Sequence, residues 1–299
     1  MIRVLLGLLI LTSFMACNRK AALTSEAIDP SYISILDQER QSRLERLTRP
    51  QGWLSVIGLH WLEEGVNAIG GAEDNQIIFP TDTETIGAYQ KTGDEIFFGK
   101  VEGIEVTSNG EEYLGGPVRV GYPHTVINHE SLFWYVIKRG DRYGIRLKDT
   151  LALDRINFEG IPYFPIDQSM NVSARVIIPP NDDTMPISDI LGTTTDYEIA
   201  AYLEFELEGE MYRLAALDEG GSTYFVIFGD QTNATTSYGG GRFIYPKKPV
   251  EGQSQINLDF NMAQNPPCVF TDFATCPLPP KSNILPLEIT AGERVPVGH

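Results

Sequence analysis

Cysteine, histidine and positive charge are all scarce in this chain, and each shortage closes off a class of function. There are 3 cysteines and 4 histidines among 299 residues. The histidines are His60, His124, His129 and His299. His129-Glu130 is not followed by the second histidine of a zinc-protease helix, and His124 has no third ligand near it in sequence. His124 and His129 read as loop residues. His60, beside Trp61, reads as a satisfied core histidine. His299 is terminal. No metal or other cofactor is expected. A Gly-x-Ser-x-Gly elbow, a Walker loop and a Rossmann glycine fingerprint are missing as well, so no familiar reaction is announced. Lys and Arg number 23 against 40 Asp and Glu, a net charge of −17. Such a chain repels phosphate backbones and anionic lipid surfaces, which excludes nucleic acid as a partner. The plain reading of the acidity is solubility.

Long apolar runs are also missing after the first. Arg3 and the run from Val4 to Phe14 have the layout of a secretory leader, too short to span a bilayer. Met15-Ala16-Cys17 follows and resembles the lipobox of bacterial lipoproteins. The resemblance implies a signal peptide over 1–16, with Cys17 lipidated by thioether-linked diacylglycerol and an N-acyl chain. That is enough buried CH₂ to anchor stably. The expected address is the bacterial cell envelope, with the membrane reached through this N-terminus, in the outer membrane facing the periplasm. Residues 17–28 read as a tether.

What is abundant is β signal. Hydrophobic residues make up 42 % of the chain, with 14 Phe and 13 Tyr, ample for a buried core. Asp29-Pro30 starts a helix over 29–48, with Asp as N-cap and Pro at the first position. Ile35, Leu36, Leu44 and Leu47 share its apolar stripe, while Arg40 and Arg43 stay in water. Short strands follow at Val66–Ile69, Gln76–Phe79 and Glu95–Gly99. Leu132–Arg139 and Arg142–Lys148 form a hairpin around Gly140-Asp141, and turn chemistry accounts for the Arg-Gly-Asp triplet there. Leu203, Phe205 and Leu207 alternate with Glu204, Glu206 and Glu208, a half-buried strand. Tyr224 to Phe228 is apolar throughout, a strand covered on both faces. The fold expected is mainly β. A sandwich-like N-terminal unit over 50–150 packs on a second β unit over 151–299 that ends in a Pro-rich irregular segment.

That last segment, Asp259 to Glu293, carries Cys268 and Cys276 among Pro266, Pro267, Pro277, Pro279 and Pro280. Proline excludes a long helix or a central strand here. The short separation and an oxidising compartment favour a structural disulfide; buried reduced thiols, or a metal or reactive thiol, are the alternatives. The sharper candidates are polar. Asp230 ends a buried strand, and Tyr238-Gly239-Gly240-Gly241-Arg242 offers bare backbone beside a guanidinium. If Asp259, Asn261 and Asn265 converge on them, Asp230 or Asp259 is a candidate general base. Arg242 is then an anion clamp, with Tyr238, Asn261 and Asn265 as ligand-binding residues. The alternative is a buried structural network in which Arg242 is already paired. Arg242 should therefore reach solvent if the first reading holds. Asp182-Asp183 and Asp218-Glu219 read as solvated turns.

Four blocks together resemble one prokaryotic family, the domain of unknown function number 1684. They are GWLSVIGLHWLEEG (52–65), RYGIRLKDTLALDRINFEGIPYFPID (142–167), DQTNATTSYGGGRF (230–243) and the tail (259–293). The resemblance implies no activity. Ala68-Ile69-Gly70-Gly71 with Asn75 to Phe79 also resembles the start of a forkhead-associated-type sandwich. The arginine and serine that would hold phosphothreonine are absent, so no phosphopeptide binding is implied. Two functions are expected from the sequence. One is an envelope lipoprotein that binds or hydrolyses a small polar or anionic ligand. The other is a non-enzymatic envelope scaffold or interaction module.

Overall fold

The structure is a computed structural model that describes residues 28–180 and 183–296. The leader, the lipidation site Cys17, the tether before residue 28, Asn181-Asp182 and His299 lie outside the described residues. The rest is mainly β, with one long helix at its start.

That helix, Pro30–Thr48, begins as its sequence dictates: the Asp29 side chain accepts from the Ser31 N–H at 2.8 Å. Its apolar stripe is thinner than expected. Leu36 and Leu47 are buried, but Ile35 is 50 % exposed. Polar contacts do the docking instead. Arg43 Nε reaches Glu293 Oε1 at 3.0 Å, and Arg43 Nη2 donates to the Asn265 carbonyl at 2.8 Å. The Arg40 guanidinium lies 4.2 Å over the Tyr163 ring. The two arginines expected in water are therefore the helix's anchors.

The first half of the strands forms two facing sheets. A 6-stranded sheet contains, in neighbouring order from one edge, Val56–Trp61, Arg142–Asp149 and Leu132–Arg139. A 5-stranded sheet is built around Gly65–Gly70, Gly87–Thr92 and Glu95–Lys100. Trp134, Tyr89, Phe98 and Phe79 fill the space between them, and Trp134 Nε1 donates to the Tyr89 hydroxyl at 2.8 Å, which satisfies both buried polar groups. The expected hairpin is present, with Arg139 paired to Arg142 and Gly140 at φ 55° in its turn. His129 corrects an expectation: it sits in the strand Ile127–His129, is 8 % exposed, and bonds the Thr83 hydroxyl and the Glu105 carbonyl.

Side-chain alternation then sets up the rest of the molecule. In Arg142–Asp149, Tyr143, Ile145 and Leu147 face the sandwich core, so Arg142, Arg146 and Lys148 point to the other face. An antiparallel sheet can leave that face in water. Here it does not: Arg146 is 4 % and Lys148 6 % exposed, because the second half of the chain packs there.

The second half contains a 4-stranded sheet in the order Glu210–Ala216, Ala201–Leu207, Asn171–Ile177, Gln255–Asp259, and two 2-stranded pairs. Leu203, Phe205 and Leu207 are buried as their alternation requires. Phe205, Phe228 and Phe260 meet ring to ring at 5.6 and 5.4 Å. Val226–Phe228 is buried on both faces, with Val226 and Phe228 in one apolar cluster and Ile227 in another. The tail has no long element. It is a series of single turns, Phe260–Met262, Pro267–Val269 and Lys281–Asn283, held by side chains that replace sheet hydrogen bonds. Asn283 is fully buried and shows how: its Nδ2 donates to the Ala215 and Ile227 carbonyls, and its Oδ1 accepts from the Ala215 N–H.

Candidate functional site

The polar residues singled out in the sequence are all placed by this tail packing. Arg242 is 0 % exposed. Its Nη2 donates to Asp230 Oδ2 at 2.8 Å and to the Ile289 carbonyl at 2.7 Å, and its Nη1 donates to the Ala291 carbonyl. Burial pulls the guanidinium pKa down, and Asp230 opposes that pull. Asp230 is equally occupied: its Oδ1 accepts from the Thr232 N–H, the Thr232 hydroxyl and the Ile289 N–H.

Asp259 does not join them. Its Oδ2 accepts from the Tyr32 hydroxyl of the leading helix at 2.8 Å, and its Oδ1 accepts from the Asn261 N–H and side-chain amide. Burial and this carboxylate together push the Tyr32 phenol up. Asn261 ties Asp167 through both backbone groups. Asn265 donates from its N–H to Glu293 and from its side chain to the Arg294 carbonyl. Glu293 is fully buried, and loss of water raises its carboxyl above the usual range against the pull of Arg43.

Two corrections follow. The glycine run admits the tail, not a ligand: at Gly241, φ 80°, a Cβ would meet Pro279 at 2.3 Å, and one at Gly240 would meet the Tyr238 ring at 2.5 Å. Asp230, Arg242, Asp259, Asn261 and Asn265 are each at least nine-tenths buried, and apart from Arg242 Nε and Asn265 Oδ1 their side-chain polar atoms are engaged by the chain itself, so neither the anion clamp nor the general base is open to a ligand. Tyr238 packs in an apolar cluster beside Phe270. Sequence spacing brought Asp230 and Arg242 together correctly, as a structural pair.

The open site lies elsewhere, where the outer face of the 6-stranded sheet meets the second half of the chain. A cleft of about 740 Å³ runs between them. One wall is basic, with Lys138, Arg139 and Arg146. The opposite wall is aromatic, with Phe225, Phe243 and Tyr245. Phe225 stacks on Tyr245 at 5.2 Å and meets Phe243 edge-on at 4.9 Å. The Cys268–Cys276 disulfide is formed, and the loop it closes joins the two walls. Thr271 donates to the Val56 carbonyl at 3.0 Å, and Thr275 accepts from Arg139 Nε at 2.7 Å.

Arg146 is the notable group in this cleft. Its guanidinium lies 4.9 Å over the Trp53 ring, within cation–π range. Its Nε and Nη2 are buried and have no partner. These two nitrogens form one edge of the guanidinium, with parallel N–H bonds that match the two oxygens of a carboxylate or phosphate. Nitrogens of Arg40, Arg155 and Arg242 also lack partners, but those residues do not line this cleft. Among the described residues, Arg139, Arg146 and Lys148 make no salt bridge. Burial, then the Arg146 charge, brings Lys148 down to about 8 and lowers Arg139. His124 stacks on Tyr135 at 4.7 Å beside this cluster, and burial lowers it too.

Sequence reasoning passed over these residues, although one signal was present. RYGIRLKD alternates basic and apolar residues at strand spacing, which is unusual in a chain of charge −17. Alternation predicts a wet basic face. Only the packing of the second half makes that face a cleft. Glu219, read as a turn residue, lines the same cleft.

Comparison with known proteins adds a family and no chemistry. Residues 156–294 match the family model described as Protein of unknown function (DUF1684). A solution NMR structure of the uncharacterized protein from gene locus rrnAC0354 of Haloarcula marismortui is 36 % identical, over 48 % of this chain and 81 % of that one, with a TM-score of 0.40. The crystal structure of the FhaA FHA domain complexed with the intracellular domain of Rv3910 shares 17 % identity over 30 % of this chain and 97 % of that one, with a TM-score of 0.22. A search of the curated proteins finds no match. The matched residues include the aromatic wall of the cleft and the disulfide loop, while Arg139 and Arg146 precede them.

Proposed function

The chain belongs to the family described as Protein of unknown function (DUF1684), a membership that carries no activity, and we propose from the cleft that it is an envelope lipoprotein that binds a small anionic molecule with an apolar body. The observation that carries this reading is that Arg146, which lines the cleft and lies over Trp53, keeps a buried Nε/Nη2 edge without a partner. A buried donor without a partner costs about 1–3 kcal/mol, and more when charged. An anion on that edge removes the cost and gains a charge-assisted pair. Volume and lining suit the task, since small-molecule sites are apolar concavities of roughly 300–1,000 Å³ with a few placed polar groups. The function proposed is binding, which the pairing of one unpartnered guanidinium edge with an aromatic wall supports directly. The membrane anchor at Cys17 is part of the same proposal and rests on the lipobox-like Met15-Ala16-Cys17.

Thermal shift on the mature chain tests it, with benzoate, 3-phenylpropionate, citrate and inorganic phosphate as probes. An anion at 100 times its Kd should stabilise the fold by about 2.7 kcal/mol, a rise of several degrees. Arg146→Met should lose that rise. Equal stabilisation of both proteins, or none of either, would leave the envelope scaffold as the better reading.

A further inference from the structure

The cleft is not uniformly basic, and its polarity describes the ligand more closely. Arg146 and Arg139 belong to the basic wall. Near Tyr245 of the row Phe243, Phe225 and Tyr245 lies a carboxylate, Glu219. Its neighbour Asp218 is held by Lys248 at 2.7 Å, whereas Glu219 has no cation partner among the described residues. Glu219 is exposed at the rim, yet it sits close enough to Tyr245 to help push that phenol up to about 12, and partial loss of water raises its own carboxyl. So a cation without an acid and an acid without a cation line one cleft. Both share it with the ring row, whose centroids step 4.9 and 5.2 Å, and among the described residues no salt bridge joins them.

Resting on the anion-site reading above, we infer that the ligand is a short zwitterionic peptide with aromatic or apolar side chains. Its C-terminal carboxylate lies on the Arg146 edge and its N-terminal ammonium at Glu219. Several features fit this chemistry together. The guanidinium edge takes one carboxylate in a bidentate pair. The ring row takes flat or apolar side chains, with ring pairs at 4.5–7 Å as the favoured contact. An extended chain advances roughly 3.3–3.6 Å per residue, so two or three residues span that row. The carboxylates at the mouth, Asp189, Glu198 and Asp218, disfavour a ligand of high negative charge.

Isothermal titration calorimetry on the mature chain tests the inference with Phe-Phe and Ala-Phe-Phe, their C-terminal amides, their N-acetyl forms and 3-phenylpropionate. Amidation should weaken binding by about tenfold or more in wild type and have little effect in Arg146→Met. N-acetylation should weaken binding by about three- to tenfold in wild type, and that loss should vanish in Glu219→Gln. Glu219 is exposed, so the variant should keep the wild-type melting curve, which is checked first. If 3-phenylpropionate binds as tightly as the peptides and N-acetylation changes nothing, the peptide inference fails while the anion site stands. If no anionic probe binds at all, both fail together.

Discussion

Two buried arginines in this chain are treated in opposite ways. Arg242 is wrapped: a carboxylate and tail carbonyls take its terminal nitrogens, and no surface remains. Arg146 lies over a tryptophan, is nearly as buried, lines a cleft and is left with one edge unpaired. Burying a charge is costly unless partners replace the lost water. At Arg242 the chain supplies the partners itself, and the tail folds around the ion pair. At Arg146 it supplies an aromatic support and a concavity, and the missing partner must come from outside. The comparison teaches that burial alone does not separate a structural arginine from a binding one. The count of satisfied donors does.

The comparison breaks most visibly at Arg242. Arg242→Met leaves Asp230 buried without its cation, and Asp230→Ala does the reverse. Breaking a buried pair by removing one partner costs about 3–5 kcal/mol. Urea unfolding should show that loss in either variant, with a smaller loss in the double variant than the two singles would sum to. A loss below about 1 kcal/mol would mean that the tail is held by its apolar contacts and not by the pair.

Lys148 sharpens the other side. It is buried beside Arg146, donates to the Gln51 and Gly52 carbonyls, and has no carboxylate. Its pKa falls from 10.5 to about 8 through burial first and the Arg146 charge second. A base with a lowered folded pKa holds fewer protons when folded than when unfolded. Its contribution to stability is therefore full above pH 10.5 and is lost as pH falls through about 8. Between these values stability should rise with pH, by at most about 3 kcal/mol, relative to Lys148→Met. Urea midpoints for the two proteins across that range measure the difference. A bound anion offsets the Arg146 charge, so the difference should shrink when a ligand is present. A slope that is unchanged by the mutation would show that Lys148 titrates as in water.

How far the sequence foretold all this differs between the two arginines. The hairpin Leu132–Arg139 with Arg142–Asp149, the alternating strand at Leu203 to Leu207, the Asp29 cap and the disulfide were all legible, because each depends on local period, turn chemistry or short separation. The Asp230–Arg242 pair was also legible as a pairing, being 12 residues apart across a short antiparallel pair of strands. Whether it was open or closed was not, since that depends on Ile289 and Ala291 arriving from the end of the chain. The cleft was illegible for the same reason. Arg146 and Phe225 are far apart in sequence and share a site only through the packing of distant strands. Ile35, Arg40 and Arg43 were misassigned because the helix docks on polar tail groups, and apolar periodicity carries no information about those.

The last comparison is the smallest in energy and has the opposite sign. Arg146→Met in the absence of ligand removes an unpaired buried charge and keeps most of the side-chain volume. It gives up a cation–π contact with Trp53, worth about 0.5–2 kcal/mol. It also relieves a desolvation cost that mutational data put at about 1–3 kcal/mol or more. The net should be a fold as stable as wild type or more stable by about 1 kcal/mol, read as a higher urea midpoint with an unchanged slope. The same substitution at Arg242 should lower the midpoint steeply. A gain of stability with a loss of ligand response is what a binding residue kept at the fold's expense would show. A loss of more than about 2 kcal/mol at Arg146 would place it with Arg242 as a structural group, and the cleft would then lose the donor on which its ligand depends.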